Sequence, residues 1–180
     1  MPSSSRWWRP LPITWSHGYR RGLKTSSNVS PDIVDSKTRS RMMSGIRAKN
    51  TKLEVRIRKA LFALGFRYRL HANDLPGKPD IVLPRHRAVV FVHGCFWHGH
   101  DCDLFRLPAT RPDWWKAKIQ RNRTRDREVA ADLRGRGWRQ AEIWECAVRG
   151  SNSRSAAEVA DEIAVWLSTS TRTMSIRAEG

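Results

Sequence analysis

Three of the six histidines and two of the three cysteines of this 180-residue chain fall inside one stretch, Phe91-Val-His-Gly-Cys-Phe-Trp-His-Gly-His-Asp-Cys102. Thiols and imidazoles are the donors zinc prefers. Cys95-x4-His100-x-Cys102, with Cys146 far along the chain, supplies the four needed to close a tetrahedral shell. A closed Cys3His set has no open position for water, so such a site is structural. Spacing alone lets His98 replace His100 as the imidazole. Three unrelated thiols are the ordinary alternative; that the set uses every cysteine argues for a site, and an odd number argues against a disulfide framework.

A second kind of chemistry lies beside the first. Asp80, in Pro-Gly-Lys-Pro-Asp, is a hard oxygen ligand of the kind Mg²⁺ takes, and Val92 could add only its backbone carbonyl. His93 and His98 flank the turn, and either could orient or deprotonate a water for attack on phosphorus. Glu54 has an ordinary duty as a capping residue. Asn122 and Asp126 are better suspects, because they interrupt an apolar stripe and must be hydrogen-bonded inside or face a site. Phe96, Trp97, Trp114 and Trp115 could be core. On a basic surface, however, exposed aromatics can wedge into a base stack.

These residues need elements to hold them. Thr51-Lys-Leu-Glu54 is a capping box, and Leu53, Ile57, Ala60, Leu61 and Leu64 recur at helical spacing until Gly65. Residues 66–70 alternate apolar and basic side chains, as an edge strand does. Two β-branched runs, 81–83 and 88–92, enclose a basic turn and predict a hairpin. Folded about His86, it sets Asp80 opposite Val92. A long helix starts at Thr110-Arg-Pro-Asp113, with Trp115, Ile119, Asn122, Asp126, Val129 and Leu133 as its inward stripe; Gly135 and Gly137 end it. Residues 138–144 read as a strand. Ala156, Val159, Ala160, Ile163 and Trp166 mark a closing helix, and residues 169–180 read as a frayed tail. The order predicts an α/β fold: a mixed sheet with helices on both faces.

Whole-chain composition bounds the partners. Lys+Arg 34 against Asp+Glu 17 gives a net charge of +17, which predicts a polyanionic partner through counterion release. Residues 1–30 carry Arg6, Arg9, Arg20, Arg21, Lys24 and no acid, and read as a disordered basic extension. Without them +12 remains, so the inference survives their loss. A short basic helix is expected over 35–46, packing through Met42, Met43 and Ile46. Nothing is long and apolar enough to span a bilayer. The N-terminus lacks the apolar core of a secretory signal, so a cytoplasmic, nucleoid-associated protein is expected.

With Pro-Gly-Lys-Pro-Asp before it and Trp-Glu-Cys-Ala after it, the Phe91–Cys102 stretch resembles the very-short-patch-repair (Vsr) mismatch endonucleases. The resemblance covers about residues 35–166 and places an endonuclease domain at 31–168. It implies a restriction-endonuclease-like fold that nicks DNA 5′ to the thymine of a T·G mismatch, the product of 5-methylcytosine deamination. By resemblance, Asp80 and the Val92 carbonyl bind Mg²⁺ and His98 activates water, while His93, Glu54 and Asp126 support them. Cys95, His100, Cys102 and Cys146 bind structural Zn²⁺. Phe96, Trp97 and Trp115 wedge the duplex, and Asn122 contacts DNA. The implied enzyme is a monomer, with a mismatch-repair protein as a conceivable partner.

The chain departs from the family in three places. Val92 replaces a common threonine, and Gly99 and Asp101 stand where histidines are familiar. Two rival readings share the fold: a double-strand nuclease with no need for a mismatch, and a non-catalytic zinc-containing DNA-binding module.

Overall fold

The computed structural model describes residues 50–70, 72–150 and 153–178. The basic stretch 1–30 and the helix expected over 35–46 lie outside them. The first described helix, α1 (Lys52–Ala63), begins on a complete capping box: Thr51 Oγ1 accepts from the Glu54 N–H, and Glu54 accepts from the Thr51 N–H. Each satisfies an amide the helix start would otherwise leave without a partner. Ile57 and Leu61 are fully buried one turn apart.

Strands β1 (Ile81–Leu83) and β2 (Ala88–His93) form the expected antiparallel hairpin, joined by a 3-10 turn over Pro84–His86 with Arg87 left-handed. Its register is one residue from the expected one. Ile81 pairs with Val90 and Leu83 with Ala88, so the ladder extended outward sets Asp80 beside Phe91, not Val92. The turn is tighter than a hairpin centred on His86, because Arg87 adopts φ 44 and closes the chain early. The edge strand expected over 66–70 reduces to one antiparallel bridge, Arg69 to Val82. The side chains alternate there, but only Arg69 finds a strand to pair with.

Strand β2 then enters a four-residue helix, α2 (Cys95–His98), and a loop that leads to α3 (Pro112–Gly135). Strand β3 (Arg139–Trp144) returns parallel to β2, in the register Val89–Gln140, Phe91–Glu142, His93–Trp144. After a 3-10 turn over Glu145–Ala147 comes α4 (Ala156–Ser168), started by a second capping box, Ser155 with Glu158. Arg139 caps its far end: the guanidinium donates to the Trp166 and Leu167 carbonyls and lies 4.4 Å from the Trp166 ring centroid. Charge at a helix C-terminus does here what a glycine cap often does.

The tail expected to fray after Ser168 is ordered through Ala178. Residues Thr173–Ile176 form β4, parallel to β3, completing a mixed sheet in the order β1-β2-β3-β4. Four residues, two polar and two apolar, are too short a run to read as a strand, and pairing with β3 and the burial of Ile176 decide the matter. Because strand side chains alternate, the sheet has two distinct faces. One, with Ile81, Val90, Ala141, Ile143 and Ile176, packs under α1 and α4. The other, with Val82, Val89 and Phe91, packs under Val129 and Leu133 of α3. The site lies on this second face. Among the described residues no helix is long and apolar enough to cross a membrane.

Candidate active site and metal centre

The α3 face of the sheet carries one ordered column of side chains from each central strand: Val89, Phe91 and His93 on β2, and Gln140, Glu142 and Trp144 on β3. Helix α3 covers the apolar end of these columns and leaves the polar end open. The result is a cleft of about 390 Å³ whose lining includes Asp80, Val92, His93, His98, Asn122, Asp126 and Glu142. Sequence spacing and fold thus bring the acid of one strand and both histidines of the loop to one place.

Asp80 is held at the start of β1. Its Oδ2 accepts the Val92 N–H at 2.8 Å, so the side chain makes the contact that the backbone register does not. Within a strand the N–H and C=O of one residue point to the same edge, so the Val92 carbonyl faces the Asp80 side as well. In the extended ladder its partner position is Pro79, which has no N–H to offer. The carbonyl is therefore available beside the carboxylate. Burial raises Asp80 to about 6 against the pull of the Val92 hydrogen bond, and the nearby Glu54 carboxylate adds to the rise.

Glu54 does more than cap. It is buried and binds the buried Arg58 guanidinium at 2.8 Å; Arg58 in turn donates to Asn50 and to the Asp80 carbonyl. Glu54 therefore reaches the site through Arg58, a residue the sequence reading missed. Its only signal was a Glu–Arg pair four apart on the inward side of a helix.

His98, at the end of α2, sets Nδ1 2.5 Å from Asp126 Oδ2 on α3. An imidazole that gives its Nδ1 proton to a carboxylate keeps Nε2 free as an acceptor. His93 packs on His98 at 4.2 Å and lies 2° from coplanar with the Phe91 ring. Burial, and then the neighbouring His98, lower His93 to about 4, so it stays neutral at ordinary pH. Glu142 was also missed. Burial and Asp126 raise its carboxyl above the usual range, and its signal was a charged residue alternating with Ala141 and Ile143.

The second interrupter of the stripe, Asn122, donates to the Trp97 carbonyl at 2.8 Å. It braces the loop from below. Phe96, Trp97 and Trp115 meet edge-on or tilted at 5.1–6.1 Å and are half-buried. Beside them Trp114 is more open, 43% exposed, with Arg111 and Lys118 over its ring. Gly99 is left-handed (φ 58), and a Cβ there would stand 2.6 Å from Ile119 Cγ2. The histidine familiar at this position has no room. Arg123 instead spans the gap and donates to the His98 and Gly99 carbonyls.

The metal centre sits on the other side of Trp144, whose ring stacks on His100 at 4.1 Å and meets His98 edge-on at 6.0 Å. Ligand atoms of Cys95, His100, Cys102 and Cys146 all lie within 4.8 Å of one another. His100 Nδ1 faces Cys95 Sγ at 3.8 Å and Cys146 Sγ at 3.6 Å. Of the two histidines it is His100 whose ring lies among the thiols, while His98 pairs with Asp126. Three thiols and one imidazole in this space fit zinc. Burial pushes the Cys95 thiol up, and burial with the charge of Arg177 lowers His100.

A mixed sheet that delivers an acid, a histidine–carboxylate pair and a braced Cys/His cluster to one end has the parts of a phosphodiester-cleaving endonuclease. Comparison with known proteins names the family. Residues 31–104 match the family described as DNA mismatch endonuclease Vsr. The chain is 40% identical over 136 residues to the DNA mismatch endonuclease Vsr of Escherichia coli, spanning 76% of this chain and 87% of that protein. It is 49% identical over 115 residues to the type II nicking enzyme V.XorIIP of Xanthomonas oryzae pv. oryzae, spanning 64% and 85%. It is 43% identical over 118 residues to the type II nicking enzyme V.NmeAIP of Neisseria meningitidis, spanning 66% and 84%. The chain belongs to the Vsr family of strand-nicking endonucleases, and its fold is restriction-endonuclease-like.

Proposed function

We propose that the protein nicks duplex DNA 5′ to the thymine of a T·G mismatch left by deamination of 5-methylcytosine, in a Mg²⁺-dependent reaction that opens very short patch repair. The observation that carries this reading is the His98–Asp126 pair, 2.5 Å long, opening onto the same cleft as Asp80. Asp80 and the Val92 carbonyl are the oxygens that would hold Mg²⁺. When bound, that ion supplies charge neutralisation at the scissile phosphate. His98 Nε2 takes the proton of the attacking water, and Asp126 steadies the imidazolium that results. His93, kept neutral by burial, packs against His98 and fixes its ring. Glu54 acts at one remove, through Arg58 on the Asp80 backbone.

Cys95, His100, Cys102 and Cys146 are assigned to structural Zn²⁺, which fixes the loop bearing Phe96 and Trp97. Those two residues with Trp115 form the wedge at the mismatch. Asn122, proposed as a DNA contact, braces the wedge through the Trp97 carbonyl in the free protein. The relative from E. coli is named a mismatch endonuclease and those from Xanthomonas and Neisseria nicking enzymes. The nicking names support one-strand cleavage here, and the mismatch name supports a mismatched substrate.

The deciding experiment is a nicking assay on a T·G duplex and its fully paired counterpart, each with and without Mg²⁺. One nick, on the thymine strand of the mismatched duplex, only with Mg²⁺, is the expected result. Equal cutting of both strands of the paired duplex would replace this reading with the double-strand nuclease. No product under any condition would leave only a DNA-binding module.

A further inference from the structure

The C-terminal segment that sequence reading left frayed runs from the sheet edge directly onto the Cys/His cluster. Its strand, β4, pairs with β3, the strand whose following turn carries Cys146. Past Ile176 the chain turns inward, and the Ala178 N–H donates to Cys146 Sγ at 3.4 Å. Cys146 passes the pattern on: its own N–H donates to Cys95 Sγ at 3.3 Å. Arg154 clasps the arrangement. Its N–H bonds the Ala147 carbonyl at 2.8 Å, and its guanidinium bridges Glu162 on α4 and the Arg177 carbonyl. Three separate parts of the chain thus converge behind two of the three sulfurs. None of them falls within the matched residues 31–104.

Three thiolates and a neutral imidazole around a divalent ion leave one excess negative charge on the sulfurs. Backbone N–H donors aimed at those sulfurs disperse that charge and fix the direction from which each thiolate meets the metal. We propose that the Ala178 N–H, presented by β4 and locked by Arg154, is a positioning donor for the Cys146 thiolate. The C-terminal strand thereby sets how tightly the centre keeps its metal. This rests on the assignment of zinc to the four-residue cluster. It predicts a part for residues 173–178 in metal retention that the ligand set alone does not contain.

Proline at 178 deletes the donor and little else. It lacks an N–H, and it requires an extended residue before it, as expected of the residue that follows a strand. Zinc affinity of full-length protein is measured by competition with a chromophoric chelator. Alongside it, the thiolate-to-metal band of cobalt-substituted protein is recorded. Ala178→Pro is expected to weaken zinc binding about 10- to 100-fold and to shift the band, while Ala178→Ser, which keeps the N–H, matches the parent. Arg154→Met is expected to weaken binding several-fold in the same direction. Parental affinity in Ala178→Pro, or equal loss in Ala178→Ser, overturns the proposal. Should Ala178→Pro fail to fold, deletion of residues 177–180, which spares β4, decides the matter: folded protein with parental affinity overturns it. A parent that takes up no zinc sinks the zinc assignment and this proposal together. A zinc-tight Ala178→Pro sinks only the latter.

Discussion

The two centres fed by Phe91–Cys102 differ in how far the protein alone completes them. The Cys/His cluster gathers four donors within 4.8 Å, with backbone N–H groups behind two sulfurs. The cleft offers one carboxylate, one backbone carbonyl and a histidine–carboxylate pair, with about 390 Å³ of room between its walls. The first is built to be finished by an ion. On the proposed reading the second needs a phosphate as well, because hard cations keep several positions for water or substrate. Trp144 stands between them as a wall, stacked on His100 on one side and edge-on to His98 on the other. A single loop therefore serves a brace and a reactive site without mixing their ligands.

The sharpest way to break this division is to remove Asp80. Asp80→Ala is expected to lower nicking of a T·G duplex roughly 10³-fold or more while leaving one zinc per chain by metal analysis. Lost zinc would show that the centres are not separate. Cys146→Ser tests the other side. Loss of a zinc ligand is expected to cost several kcal/mol of stability, read as a lower melting temperature that added zinc no longer raises. Residual folded protein should still bind Mg²⁺. Asp126→Asn is expected to have a smaller effect than either and should leave both metals in place. Its expected cost is about 10- to 100-fold in turnover, with little change in KM, since only the orientation and charge of His98 are disturbed.

The smallest effect concerns stability and pH. Burial holds Asp80 near 6 against an ordinary 3.8, so the folded state retains a proton that the unfolded chain releases first. The cost of burying the charge is absent below about pH 4 and full above about pH 6. Asp80→Asn keeps an oxygen for the Val92 N–H and removes that cost. The metal-free variant should be about 1–2 kcal/mol more stable than its parent at about pH 7.5, a figure reduced for the group's partial exposure. The gain should fade between pH 6 and 4 in denaturant titrations. A constant gain across that range would locate the effect in packing instead.

Most of this arrangement was legible in local chemistry. Thr51 and Glu54, the stripe from Trp115 to Leu133, and the spacing of Cys95, His100 and Cys102 each state their role within a few residues. What escaped depends on partners distant in sequence. Strand β4 exists because β3 offers an edge, and residues 66–70 fail as a strand because only Arg69 finds one. The hairpin register differs by one residue from the expected one because the connection is a 3-10 turn over Pro84–His86 closed by left-handed Arg87. Arg58 and Glu142 take their roles only from the fold, which buries one against the Asp80 carbonyl and sets the other near Asp126. His100 lies among the thiols while Asp126 pairs with the His98 ring, a contact between residues 28 apart.

Helix α3 carries Trp115, Asn122, Asp126 and Leu133 on one stripe. At 1.5 Å per residue, the aromatic end and the carboxylate that orients His98 are held about 16 Å apart along a single rigid rod. On the proposed roles, that rod is a gauge. Where the duplex is pried and where it is cut are tied by helix pitch, not by the affinity of either station for DNA. One residue inserted between Arg123 and Asp126 would keep the braces of the wedge loop, Asn122 and Arg123, and turn Asp126 through about 100° away from His98. The wedge would still enter, and the blade would face the wrong way.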